Sequence, residues 1–226
     1  MDQASFIVPA HSTAQQVYDW LHGRVLRGDL APGERISETE IAGQIGVSRQ
    51  PVREAFIRLT ANGLAEVRPQ RGTFIGRISL KAVLSARLIR EAVESDLIRI
   101  VSSAAPDAAI AELDAQLAAQ REASARQDVE RFIELDDLFH RSLAIAAGHE
   151  DVWNVLEGLK SQMNRLRYIT ARVFDQQKLI DQHTAIVDAL RHHDPEQAEQ
   201  AMRLHLRELL NDLPEIARSK PEFFTK

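Results

Sequence analysis

The chain has 226 residues, of which 44% are apolar, 27% charged and 5% aromatic, and it contains no cysteine. This composition excludes intrinsic disorder, fibrous repeats and a disulfide framework, and the length predicts two modest domains. The net charge of −5 is unevenly divided: residues 1–78 hold nine Lys/Arg against eight Asp/Glu, and residues 79–226 hold 19 against 25. Because there is no long apolar run and no basic, apolar leader, we expect a cytoplasmic protein without a membrane partner.

Residues 1–77 predict a winged helix-turn-helix DNA-binding domain, in which three short helices precede a β-hairpin. Apolar residues at helical spacing, each run closed by a glycine, predict helices over 14–27, 38–45 and 48–62. The segments 64–68 and 73–76 flank a turn and predict the two strands of the wing.

The third helix carries the residues that favour DNA binding. Arg49, Gln50 and Arg53 lie beside one another and away from its apolar stripe. Arginine can bind guanine or phosphate, and glutamine can bind adenine. Arg71, next to Gly72 at the hairpin tip, can enter a minor groove or meet a phosphate. A solvated helix face is the plainer interpretation of two arginines alone, but their position between a turn and a basic wing favours DNA.

The stretch from Gly33 to Ile75, which includes SRQPVREA at 48–55, resembles the N-terminal domain of GntR-family bacterial transcription regulators. The resemblance implies major-groove and phosphate contacts, with Arg71 and Gly72 in the wing; the contacts would come from Ser48, Arg49, Gln50 and Arg53. Because one recognition helix reads only a few base pairs, we expect a homodimer on pseudo-palindromic double-stranded operator DNA. The family most often has threonine where this chain has Gln50, which leaves the base preference open.

Residues 78–226 predict an all-α antiparallel bundle of six or seven helices, since no convincing strand pattern occurs there. Short breaks separate six helical runs, expected at 79–104, 106–125, 128–147, 151–172, 176–192 and 195–211.

Four residues of this second domain have the chemistry of a metal site. Asp136 and His140 are four apart and share a helix face, while His183 and His205 lie in the middle of two later helices. Three nitrogens and one carboxylate suit zinc, and also nickel, iron or manganese. Sequence spacing alone does not bring three helices together, so a packing role is the plainer interpretation of each histidine. Asp137, three before His140, is a rival for Asp136.

The run DDLFHRSL at 136–143 resembles the DxxFHxxL signature of the FCD domain, the effector-binding bundle of the FadR-like branch of GntR regulators. The resemblance implies a divalent cation, zinc first, held by Asp136, His140, His183 and His205. It also matches Arg90 to an arginine of such domains. We expect Arg90, with Arg87 and more weakly Arg167, to clamp a small carboxylate effector. An ion pair between Arg90 and Glu94 is the plainer alternative.

Together these features predict a ligand-responsive transcription repressor and not an enzyme. One alternative is a metal-sensing regulator in which the cation itself is the signal. The other is a small helical-bundle metalloenzyme, whose cation would activate water. No further carboxylate or histidine has the placement of a general base, which counts against the enzyme.

Overall fold

The computed structural model describes residues 12–104, 106–170 and 175–225. They form two compact units. The first ends at Leu80 and takes in the C-terminal residues from Lys220, and the second is Lys81–Ser219. The C-terminal residues were predicted to belong to the helical domain. Instead, the buried Phe224 forms a parallel bridge with Ile78, and the Ile78 amide donates to the Phe223 carbonyl at 2.8 Å. Burial of these two apolar side chains accounts for the placement.

The first unit contains the predicted three helices and a small sheet. Its elements are α1 (Thr13–Arg27), β1 (Arg35–Ile36), α2 (Glu38–Ile45), α3 (Arg49–Ala61), β2 (Ala65–Arg68) and β3 (Gly72–Ile75). The sheet is antiparallel with strand order β1-β3-β2, so a short third strand adds to the predicted hairpin. Two residues are too few to show an alternating pattern in the sequence, which is why β1 was missed.

Local signals fix the ends of these helices. The Ser12 hydroxyl accepts the Gln15 amide at 3.2 Å, and the Ser37 hydroxyl accepts the Glu40 amide at 3.5 Å. Gly46 closes α2 in the left-handed region at φ 72°, where glycine bears no steric penalty. The apolar face of α3 is buried against α1, so its opposite face is left at the surface.

The second unit is all-α, as predicted, and the described residues contain eight α-helices instead of six or seven. They are α4 (Leu80–Ala104), α5 (Asp107–Ala125), α6 (Val129–Ala146), α7 (Glu150–Leu159), α8 (Ser161–Thr170), α9 (Gln176–Arg191), α10 (Pro195–Arg207) and α11 (Leu209–Ser219). No helix in the described part of the chain has both the length and the apolar character needed to cross a membrane.

Two breaks account for the additional helices. The run predicted as one helix over 151–172 divides at Lys160, whose buried ammonium donates to Asp137 Oδ1 at 2.8 Å. Gly158 weakens the helix at the same place. Residues 171 and 172 lie outside the described residues. The second break is at Glu208, where α10 ends and α11 begins, and α11 continues to Ser219, beyond the predicted end of the last helix at 211.

The main core of this unit is shared by α4, α5, α6, α9 and α10. Phe139 of α6 is fully buried in it and stacks on the His183 ring, with ring centroids 4.2 Å apart. The same packing that holds the bundle together therefore holds a histidine at its centre.

Candidate metal centre and DNA-binding surface

The structure brings together the four residues that were predicted to bind a metal. Asp136 and His140 lie one turn apart on α6, His183 lies on α9 and His205 on α10, and all four are buried. One ligand atom of each lies within 4.8 Å of the others. His205 Nε2 is 3.1 Å from His140 Nε2 and 3.2 Å from His183 Nε2. Asp136 Oδ1 is 3.6 Å from His183 Nε2.

The other ring nitrogen of each histidine faces an oxygen atom outside this cluster. The pairs are His183 Nδ1 with Gln120 Oε1 at 2.9 Å, His205 Nδ1 with Gln182 Oε1 at 3.1 Å, and His140 Nδ1 with Glu94 Oε2 at 2.6 Å. Amide oxygens accept and do not donate, so the two glutamine contacts assign the ring protons of His183 and His205 to Nδ1.

The orientation of the two glutamine amides supports this tautomer. Gln120 Nε2 donates to the Leu135 carbonyl at 3.3 Å, and Gln182 Nε2 donates to Glu208 Oε2 at 2.9 Å. With both amide nitrogens used in this way, the oxygens point to the histidines. The unprotonated Nε2 atoms of His183 and His205 then converge with His140 Nε2 beside a carboxylate, and this donor set fits a cation.

The pKa shifts favour the same protonation states. Burial lowers the pKa of His183 to about 3. Burial and the neighbouring histidines lower the pKa of His205 well below its usual value. Burial alone would raise the pKa of Asp136, but Arg167 and the three histidines hold it well below its usual value. The pKa of Glu94 is lowered to about 2, because Arg90 and His140 outweigh its burial. At neutral pH His183 and His205 are therefore neutral and both carboxylates ionised, as metal binding requires.

Asp137, the rival of Asp136, lies outside the cluster. Its Oδ1 accepts from Lys160 Nζ at 2.8 Å and from Arg167 Nη1 at 3.2 Å. It thus neutralises two cations beside the cluster, and Asp136 is the carboxylate that faces the histidines.

A cavity of about 530 Å³, including its open mouth, adjoins the cluster. It is lined by the three predicted effector residues, by two members of the cluster and by a largely apolar remainder: Arg87, Arg90, Arg167, Asp136, His205, Met163, Leu179, Leu206, Glu208 and Leu209. Asp136 and His205 thus form part of the cavity wall.

Each of these arginines already has a carboxylate partner. Arg90 is buried and donates from Nε to Glu94 Oε1 at 2.5 Å and from Nη2 to Oε2 at 3.4 Å. Arg87 pairs with Glu91. Arg167 Nη2 lies 2.5 Å from Asp136 Oδ2. Arg90 therefore forms the predicted ion pair with Glu94 and also lies on the cavity wall.

Sequence reasoning missed the groups that orient the histidines. The sequence predicts Glu94 as a partner of Arg90 but not of His140. Gln120 and Gln182 were not singled out, although both are polar residues on buried faces of their helices. A buried glutamine on an otherwise apolar face was the available signal.

The predicted DNA-binding residues all lie at the surface of the first unit. The exposed set comprises Ser48, Arg49, Gln50, Arg53, Arg71 and Gly72. Within the described residues, Ser48 stands at the N-cap position of α3 without a side-chain capping bond, which leaves its hydroxyl for a ligand. Arg49 Nη2 is 3.1 Å from Glu38 Oε2, an exposed ion pair of small energetic worth.

The hairpin tip is built by a tight turn. The Arg71 amide donates to the Arg68 carbonyl at 3.0 Å, and Gln70 and Gly72 have φ of 61° and 104°. These conformations project Arg71 from the end of the two strands. The first unit therefore has the exposed α3 and the basic hairpin of a winged helix.

Comparison with known proteins agrees with this architecture. Residues 13–75 match the family described as bacterial regulatory proteins, gntR family, and residues 87–208 match the FCD domain. The chain is 36% identical over 219 residues to the HTH-type transcriptional repressor RspR of Escherichia coli K12, covering 96% of each protein. It is 29% identical over 215 residues to the repressor NanR of Edwardsiella tarda, covering 85% of this chain and 82% of NanR.

A solved structure shows the same fold. Escherichia coli McbR/YncC superposes with a TM-score of 0.75 at 21% identity, over 91% of this chain and 98% of that one. Fold and site together define a winged-helix DNA-binding protein with a helical effector-type domain. The chain belongs to the GntR family and carries an FCD domain; it is a transcription regulator and not an enzyme.

Proposed function

We propose that this protein is a ligand-responsive transcription repressor that holds a divalent metal ion and a small organic acid in its helical domain. In this proposal it binds a pseudo-palindromic operator as a homodimer. Assignment as a repressor is supported by two relatives that are named as transcriptional repressors, RspR and NanR. The sensing part is supported by the chemistry of the cluster and of the cavity beside it.

The observation that carries the proposal is the Asp/His₃ cluster on the wall of an arginine-lined cavity. Asp136, His140, His183 and His205 would hold the cation, zinc first, with nickel, iron or manganese as alternatives. A bound cation supplies a positive charge and a coordination position that a carboxylate can take. The apolar part of the cavity wall would cover the carbon skeleton of the acid.

Arg90 is the proposed anchor for the acid. Its guanidinium is buried on the cavity wall and held in one orientation by Glu94. A planar guanidinium can donate two parallel hydrogen bonds to a carboxylate, which a lysine cannot. Arg87 and Arg167 line the same cavity and would add donors.

For operator binding, α3 would enter the major groove. Arg49, Gln50 and Arg53 would meet base edges and phosphates, and the Ser48 hydroxyl a phosphate. Arg71 and Gly72 would place the wing against the neighbouring backbone. A dimer would bind two half-sites related by two-fold symmetry.

A metal-sensing regulator is the second candidate. It is favoured by the three convergent Nε2 atoms, because this donor set suits a cation whether or not an acid is present. In that case zinc alone would change operator affinity, and organic acids would have no further effect.

The direct experiment is a thermal-shift screen of sugar acids and dicarboxylates against the full-length protein, with and without zinc chloride. We expect zinc to raise the melting temperature and an acid to raise it further, with the acid effect lost in His205→Ala. A stabilising acid that acts equally without zinc and in His205→Ala would contradict the proposed site. Stabilisation by zinc without any acid effect would favour the metal sensor.

A further inference from the structure

Glu208 lies between the end of α10 and the start of α11, and its buried side chain lines the cavity. Its carboxylate receives hydrogen bonds from three side chains. Lys178 Nζ donates to Oε1 at 2.6 Å, Asn211 Nδ2 donates to Oε1 at 3.1 Å, and Gln182 Nε2 donates to Oε2 at 2.9 Å. Its position is therefore fixed by residues of α9 and α11.

The contact with Gln182 extends to the metal cluster. A carboxylate accepts hydrogen bonds, so Glu208 holds the amide nitrogen of Gln182 on its own side. The amide oxygen is thereby turned to His205, with Oε1 at 3.1 Å from Nδ1. This contact keeps the proton of His205 on Nδ1 and leaves Nε2 free to bind a cation.

His183 is held differently. Its Nδ1 also faces a glutamine oxygen, but the Gln120 amide is anchored to the backbone carbonyl of Leu135 within a helix. Leu135 is not among the residues that line the cavity. The Gln182 amide, by contrast, is anchored by the Glu208 side chain, which lies on the cavity wall.

We propose that Glu208 is a positioning residue for the metal centre, acting on His205 through Gln182. Because Glu208 lines the cavity, its contact with Gln182 links the cavity wall to the cation site. The inference rests on the proposed function, since it requires the cluster to bind a metal.

The test is the zinc affinity of the full-length protein, measured by competition with a chromophoric chelator. We expect Gln182→Leu to weaken zinc binding by about 10- to 100-fold, the usual loss when a ligand's hydrogen-bond partner is removed. Glu208→Leu is expected to weaken zinc binding in the same direction by about 10-fold. Glu208→Gln retains an acceptor for Gln182 and is expected to bind zinc nearly as the wild type does.

The double variant makes the test specific. If Glu208 acts on His205 only through Gln182, the double variant Gln182→Leu/Glu208→Leu binds zinc no more weakly than Gln182→Leu alone. The ¹⁵N chemical shifts of the His205 ring in the metal-free protein are expected to show a mixed tautomer in both single variants. Gln116→Leu is the matched control, because Gln116 is also buried, contacts Glu112 at 3.0 Å and has no contact with the cluster among the described residues.

Wild-type zinc affinity in Glu208→Leu, or additive losses in the double variant, would overturn the inference and leave the proposed function standing. Wild-type protein that binds no divalent metal would overturn both. If Glu208→Leu does not fold, Glu208→Asp withdraws the carboxylate by one methylene and tests the same contact.

Discussion

His183 and His205 hold their Nε2 atoms 3.2 Å apart, within hydrogen-bond distance, although the contacts of both Nδ1 atoms place the proton on the far side of each ring. Two neutral imidazoles in this arrangement direct lone pairs at each other. A cation between them converts that repulsion into coordination. The bundle core fixes the pair, since Phe139 stacks on His183.

Removal of any one histidine of the cluster is predicted to release the metal. Wild-type protein is expected to carry close to one divalent ion per chain. His140→Ala, His183→Ala and His205→Ala are each expected to lower metal content and the stabilisation that the metal gives to the folded state. Elemental analysis with thermal unfolding measures both. His149→Ala, an exposed histidine outside the cluster, is the control; full metal content in His183→Ala and His205→Ala would refute the assignment.

Arg49→Ala and Arg53→Ala are each predicted to weaken operator binding by about 1–3 kcal/mol, because each removes a contact to a base edge or a phosphate. Wild-type affinity is expected to fall steeply with added salt as counterions are released. Fluorescence anisotropy with a labelled operator measures both effects. Arg126→Ala, an exposed arginine of the helical unit, is expected to bind as the wild type does. Unchanged operator affinity in both Arg49→Ala and Arg53→Ala would exclude α3 as the recognition helix.

Acidification is predicted to destabilise the protein through Glu91. Its pKa is lowered from 4.5 to about 2, first by the hydrogen bond from Arg207 and also by Arg87 and Arg203, against the opposing effect of burial. Between pH 2 and pH 4.5 the unfolded state therefore binds more protons at Glu91 than the folded state does. The stabilisation is therefore present above pH 4.5 and is lost as the pH falls towards 2.

The measurement is urea unfolding of wild type and Glu91→Gln from pH 7 to pH 3. We expect the variant to be less stable at pH 7 and the difference to shrink below pH 4.5. Glu134→Gln removes an exposed carboxylate paired with Arg131 and serves as the control. A difference that stays constant with pH would show that Glu91 contributes nothing through its charge.

Arg90 is predicted to be required for acid binding in a way that lysine does not rescue. Arg90→Ala and Arg90→Lys are both expected to lose most of the affinity for a stabilising acid, because a point charge lacks the two-donor geometry. Arg99→Lys, on the same helix but paired with Glu196 and Glu199, is the control. Calorimetry that gives wild-type affinity in Arg90→Ala would reduce Arg90 to the structural partner of Glu94.

The sequence predicted the elements that local signals define. The apolar spacing, the N-cap Ser37 and the C-terminal Gly46 are sufficient to predict α2, because both ends of this helix are set by residues next to it in the sequence. β1 forms only because it pairs with β3, which lies far along the chain. The two residues of β1 carry no sequence pattern of their own that indicates this pairing. At the break at Lys160, the side chain forms an ion pair with Asp137 of another helix, and the apolar periodicity of the sequence does not predict such a contact.

The candidate site divides in the same way. The spacing of Asp136 and His140 and the resemblance to a known domain identified the four cluster residues. Gln182 and Glu208 were missed because their roles arise from contacts between residues that lie on different helices. A pairing of Arg90 with Glu94 was foreseen, since the two are four apart on one helix.

Coupling between the acid and the operator is the central claim, and calorimetry tests it most directly. The acid found in the screen is titrated into zinc-loaded protein with and without a saturating operator duplex, and the operator is titrated with and without the acid. For a repressor released by its effector, we predict that the acid and the operator each lower the affinity of the protein for the other by the same factor. Acid affinity that is identical with and without operator would contradict a sensor role for the helical domain.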